Sequence, residues 1–176
     1  MGRASVKENK TIYQKRREAR GLTRAQASEA MQWVTESRIE KIESEKTTAA
    51  PEEVLAMVEA YRSPDLCNYY CSHECAIGRG SVREVRERPI EAIVLEMLDT
   101  LNHLEKYRDR LIEITSDGVI HDDQIEDFAR IRRELARMGA VVDSMQLWFD
   151  TTVAEGKINA DVLKTVSGDD GSSGKE

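Results

Sequence analysis

Proline, glycine and aromatic residues are all scarce in this chain of 176 residues: it has three Pro, ten Gly and only 5% Phe, Trp and Tyr. Sheets need turn residues at short intervals and favour aromatic and β-branched strands, so this composition points to long helices. The three cysteines are an odd number confined to Cys67–Cys75, which argues against an exported disulfide framework. No apolar run approaches the ~18 to 20 residues that cross a bilayer, and Met1–Lys10 lacks the apolar stretch of a secretion signal. The expected location is therefore cytoplasmic, with no membrane partner.

Enzyme signatures are missing as well. There is no phosphate-cradling glycine loop, no His-Glu-x-x-His metal pair and no nucleophile elbow. His73, His103 and His121 fall in separate segments, and the carboxylates Asp122 and Asp123 stand where a helix N-terminus needs caps. No enzyme activity and no cofactor are expected.

With 40% hydrophobic residues the chain can build one ordinary domain and a smaller one. Its net charge of −7 is unevenly spread. Residues 1–46 hold 11 Lys and Arg against 7 Asp and Glu, and the remainder holds 15 against 26. Lys7, Lys10, Lys15, Arg16, Arg17, Arg20 and Arg24 make the N-terminal part basic, which suits either phosphate attraction or a solvated amphipathic segment.

The same region carries a pattern of helix punctuation. Gly21 closes one short helix, and Thr23 can cap a second that begins at about Arg24. Ala27, Ser28 and Met31 share a face of that second helix, and their small side chains admit a close crossing. Thr35 caps a third helix, in which Ile39 and Ile42 form the buried stripe. Its other face offers Glu36, Ser37, Arg38, Glu40 and Lys41 outward. Two short helices joined by a tight turn, the second with a polar outer face, form the unit that sets a recognition helix in a major groove.

Residues 11–61 resemble the Cro and phage-repressor-like helix-turn-helix domain, the XRE family. The resemblance is carried by Arg17-Glu-Ala-Arg-Gly-Leu-Thr23, Ile39-Glu-Lys-Ile-Glu43 and Pro51-Glu-Glu-Val-Leu-Ala-Met-Val-Glu-Ala-Tyr61. It implies double-stranded DNA as partner, with Thr35, Ser37, Arg38 and Lys41 facing DNA from the recognition helix and Arg20 and Arg24 on phosphate. Glu43 matches a position that commonly braces the helix end. The sequence departs from the pattern in four places. Arg16 replaces an aliphatic residue, Arg24 a glutamine and Glu45 a glycine, and the turn Gln32-Trp33-Val34 is one residue longer than the usual Gly-centred turn. The acidic Glu36 and Glu40 repel phosphate, so a binder that discriminates between sequences is expected, with a protein-binding scaffold as the alternative.

Cys67, Cys71 and Cys75 are spaced four apart, so a helix would align them as a packing stripe and turn His73 away. An irregular segment would instead let Cys67, Cys71, His73 and Cys75 hold zinc as a Cys3His set, or let a thiol sense redox state. The expected reading is packing, with metal as the alternative.

After Gly78 and Gly80, Pro89 opens a helix of about 26 residues marked by Ile90, Ile93, Met97, Leu104, Leu111 and Ile114. Asp117-Gly118 turns the chain, and a second long helix starts near Asp122. Its spacing predicts a heptad seam of Phe128, Ile131, Leu135, Met138, Val142, Met145 and Phe149. Apolar residues outside both seams, Val94, Leu95, Leu98 and Leu101 among them, exceed what one hairpin covers. Either they pack on the N-terminal domain, or two hairpins pair as a homodimer through Phe128, Leu135, Val142, Met145 and Phe149.

The expected organisation is all-α. A lambda-repressor-like helix-turn-helix bundle spans 1–64, a Cys-containing connector 65–88, a long antiparallel helical hairpin 89–165 and a disordered tail 166–176. The expected function is a dimeric transcriptional regulator on a palindromic operator. The alternatives are a protein-interaction adaptor and a metal- or redox-sensing regulator.

Overall fold

A computed structural model describes residues 10–159 and 161–163. The expected tail, 166–176, lies outside them. Among the described residues every regular element is helical. The described residues divide into two compact units, one formed by those up to 84 together with those from 150 onward, the other by 85–149. No helix is long and apolar enough to cross a membrane among the described residues.

The first unit opens with α1 (Ile12–Ala19), α2 (Arg24–Met31), α3 (Glu36–Glu43) and α4 (Pro51–Tyr61). The caps of α2 and α3 fall where the sequence places them. Thr11, Thr23 and Thr35 each accept from the backbone N–H three residues on, and Gln26 returns the bond to the Thr23 backbone in a capping box. α1 ends in a Schellman turn, with Leu22 N–H bonded to Arg17 C=O at 3.2 Å and Gly21 at φ +70°. α3 ends the same way, Lys46 N–H reaching Lys41 C=O at 2.9 Å, but Glu45 is the residue held at φ +59°. Gln32, after α2, stands at φ +62°. Both departures from a glycine pattern thus keep the positive φ and supply it with side chains that strain it.

One apolar core joins these helices. Ala27, Ile39, Met57, Tyr61 and Leu66 are fully buried, and Tyr13, Met31, Val34, Ile42 and Val54 close around them. Each large side chain removed from water contributes about 1.5–3 kcal/mol. The odd residue of the long turn is thereby explained: Val34 is buried while its neighbour Trp33 is exposed.

α5 (Asp65–Tyr69) passes directly into a π-helical turn, Tyr70–Glu74, closed by Cys75 N–H on Tyr70 C=O at 2.9 Å. A wider turn breaks the four-residue repeat, so the expected single cysteine stripe does not form. Cys67, Cys71 and Cys75 are free and each half-buried. Gly78 in the following 3₁₀ turn packs on this segment so tightly that a Cβ there would stand 2.1 Å from Cys71 C=O oxygen.

The second unit is an antiparallel pair, α6 (Ile90–Thr115) and most of α7 (Ile125–Ala154), joined by a turn with Gly118 at φ +75°. Arg137 Nη2 donates to Asp99 Oδ2 at 2.7 Å and Arg110 Nε to Asp127 Oδ2 at 2.8 Å. These two bonds fix the register: residue i of α6 lies level with residue 236 or 237 minus i of α7. The α6 seam matches its sequence pattern at Ile93 and Ile114, which are buried, and Thr100, outside the expected seam, is buried with them. The α7 seam does not. Ile131, Met138 and Met145 face inward as expected, but Val141 replaces Val142 as the buried residue, and Leu135 and Val142 are exposed. Two parallel stripes of α7 have the same period, and the inner one contains Asp127 and Glu134, which disguise it in the sequence. Pairing of Asp127 with Arg110 makes that polar stripe acceptable at the interface.

Candidate nucleic-acid interface

The position of α3 is set by one carboxylate. Glu43, at the last turn of α3 and almost fully buried, receives Arg17 of α1 through two bonds, Nε–Oε1 at 2.6 Å and Nη2–Oε2 at 3.0 Å. Arg24 of α2 donates to the same carboxylate, Nε–Oε2 at 2.8 Å. Arg17 Nη1 adds a bond to Leu22 C=O at 2.6 Å. Three helices and the turn between two of them therefore meet at one ionic node. Burial opposes the Arg17 charge, but the hydrogen bonds and charge of Glu43 outweigh it and hold the guanidinium above its ordinary range.

A second clasp fixes the other side of α3. Arg38 forks onto Glu53 of α4, Nε–Oε1 at 2.6 Å and Nη2–Oε2 at 2.8 Å, while its remaining donors reach Thr47 Oγ1 at 2.9 Å and Thr48 C=O at 3.0 Å. Glu53 also accepts from Ala50 N–H at 2.7 Å, so it caps α4 as well. The bond from Arg38 is the main reason the Glu53 carboxyl sits below its ordinary value, with burial working the other way.

With both edges clasped, the outer face of α3 presents Thr35, Glu36, Ser37, Glu40 and Lys41 to solvent. Of the residues expected to face DNA, Thr35, Ser37, Lys41 and Arg20 are exposed, Arg24 is bound to Glu43 with a third of its side chain exposed, and Arg38 is held by Glu53, Thr47 and Thr48. The basic surface is smaller than the count of cations implies. Lys10 is paired with Glu18, Arg16 with Asp65 and Arg17 with Glu43. Lys15 and Arg20 remain outward, and Lys7 lies outside the described residues. Sequence reading missed two features. Glu53 as partner of Arg38 has its signal in the capping position three residues into α4, and the exposed Trp33 beside the α3 N-terminus has none beyond its place in the turn.

The cysteine segment does not assemble the ligand set of the alternative reading among the described residues. His73 Nδ1 is 3.2 Å from Tyr69 C=O, and its ring stacks on Tyr69 at 4.5 Å. Among the described residues no three His, Cys, Asp or Glu side chains are grouped as metal ligands. Burial, followed by the neighbouring Cys71, pushes the Cys67 thiol up, the direction opposite to that of a reactive thiolate. Tyr69, His73, Tyr13 and Glu74 instead wall a groove of about 440 Å³ that Thr47, Thr48 and Ala49 complete.

Three helices braced at a shared node, with the third exposing a polar face beside a short turn, define a helix-turn-helix domain. Residues 14–66 match the family model described as a helix-turn-helix domain, which points to a DNA-binding regulator. No curated protein and no solved structure shows significant similarity to the chain.

Proposed function

We propose that the protein is a sequence-specific DNA-binding transcriptional regulator of the XRE kind, which acts as a dimer on a palindromic operator. The observation that carries this reading is the double clasp of α3, by Glu43 and by Arg38–Glu53, which leaves only its polar outer face free. Ser37, Lys41 and Thr35 then meet bases and adjoining phosphates, and Arg20 and Arg24 meet phosphate at the start of α2. Arg38 positions the helix, because four of its five N–H donors are engaged by Glu53, Thr47 and Thr48. No catalytic step, metal or cofactor enters this reading. Exposed apolar side chains on both α6 and α7 support the dimer.

Retention of duplex DNA at two salt concentrations tests the proposal. A DNA reader is retained more strongly at low salt and selects particular sequences. Glu36 and Glu40, exposed on the same face as Lys41, favour a second reading, an adaptor whose helix-turn-helix binds an acid-tolerant protein surface. Absence of retention even at low salt would select it.

A further inference from the structure

Exposed apolar surface is concentrated on one flank of the α6–α7 hairpin. In heptad terms, the residues that meet across the hairpin occupy positions a and d, such as Ile93 and Thr100 on α6 and Ile131 and Val141 on α7. Arg137 meets Asp99 and Glu96 on the flank of positions g and c, and Arg110 on the same flank reaches Asp127 of the inner stripe. The opposite flank, positions e and b, carries exposed apolar side chains among a few charged ones: Val94, Leu98 and Leu101 on α6 and Leu135 and Val142 on α7 are 37% to 53% exposed. The register sets Val94 level with Val142 and Leu101 level with Leu135, two complete apolar layers facing solvent.

We propose that a second copy of this chain covers this flank, with a two-fold axis parallel to the helices, so that α6 of each copy packs antiparallel to α7 of the other in a four-helix bundle. The proposal rests on the dimeric reading above and specifies its geometry. A two-fold along the helices preserves height, so the register of the hairpin also applies between copies, and each b position of α6 meets a b position of α7 from the second copy. Leu98 then meets Gly139, where a Cβ would find nothing within 4 Å, a side chain opposite a gap. Glu105, paired within its own chain only to Arg108 on the same helix, meets Arg132, an exposed cation with no ion pair among the described residues. Ile112 meets Ile125, both more than half exposed. The remaining pair, Glu91 with Gln146, is polar and without conflict.

A two-fold perpendicular to the helices would set α6 against α6 and α7 against α7, and so leave Glu105 and Arg132 on different pairings. Charge therefore selects between the two symmetries. The parallel axis also brings the Ile90 ends of both α6 helices to one end of the bundle.

The test is an exchange of charges in the full-length chain, read by sedimentation equilibrium with helix content followed by circular dichroism. Glu105→Arg and Arg132→Glu each turn two attractions per dimer into repulsions and should weaken self-association about tenfold. Mixing the two variants, or combining both changes in one chain, should restore the wild-type dimer, and the mixture should favour the heterodimer. Leu101→Glu, placed in the centre of the flank, should give folded monomers. A monomeric wild type, or a dimer indifferent to both reversals, overturns the proposal. Either result leaves DNA recognition standing, because that is read separately by retention of duplex DNA.

Discussion

Arg17 and Glu43 lie 26 positions apart in sequence and form a two-pronged ion pair at 2.6 and 3.0 Å, with 7% and 1% of their side chains exposed. The pair ties α1 to the end of α3, and Arg24 brings in the helix between them. Removing one partner of a buried pair leaves an uncompensated charge, which costs about 3–5 kcal/mol. Glu43→Ala should therefore destabilise the helix-turn-helix unit by about that amount, while Arg17→Met with Glu43→Leu should recover much of the loss. Urea unfolding of the wild type, Arg17→Met, Glu43→Leu and the double variant checks the coupling; additive losses would contradict it.

The Arg38–Glu53 clasp makes stability depend on pH with a defined sign. Its hydrogen bond from Arg38 lowers the folded-state carboxyl below the ordinary value of 4.5, so the stabilisation is fully present above that value and is lost as pH falls through the lower folded value. The difference in unfolding free energy between wild type and Glu53→Gln should be flat at neutral pH and shrink in acid below about pH 4.5. Denaturation of both proteins at a series of pH values gives the curve. A difference that grows in acid would contradict the assignment.

Glu45 and Gln32 occupy backbone conformations that glycine adopts without strain, at φ +59° and +62°. Glu45→Gly and Gln32→Gly should each raise stability by about 1 kcal/mol, and Gly21→Ala, at φ +70° with open space around it, should lower it by a similar amount through backbone strain alone. Thermal unfolding compares the three. An unchanged melting temperature in all of them would remove strain as the explanation.

Exposed cations on the proposed DNA face divide into two kinds. Arg20→Ala removes a charge outside the recognition helix and should weaken binding to all sequences by a similar factor, lowering the salt slope by about 1. Lys41→Ala, on the outer face of α3, should change which sequences are preferred as well as affinity. Titrations against one selected and one scrambled duplex at several salt concentrations separate these effects. Equal effects of the two variants on both duplexes would contradict the division.

Capping chemistry made the helix boundaries of the first unit legible, because Thr23 and Thr35 each act through a local bond that depends on a few neighbouring residues. Glu43 was legible as a brace through family resemblance, but its partners were not, since Arg17 and Arg24 read as two more cations in a basic stretch. Pairing consumed much of the charge that the sequence offered to phosphate. Arg38 reads as a base contact in the sequence because nothing local reveals that Glu53, fifteen residues on, will face it. On α7 the stripes through Val142 and Val141 have equal periodicity, and only the ion pairs to α6 decide which one turns inward. The π-helical turn at Tyr70–Glu74 leaves no mark in residue spacing, so the cysteine pattern implied a regular face that the wider turn removes.

Selection from a pool of random duplexes by the full-length protein, with sequencing of the retained fraction at two salt concentrations, tests the central claim most directly. A dimer with α3 in the major groove predicts enrichment of an inverted repeat whose half-sites lie about one helical turn apart, with retention falling as salt rises. A retained fraction as random as the input at both salt concentrations would contradict it.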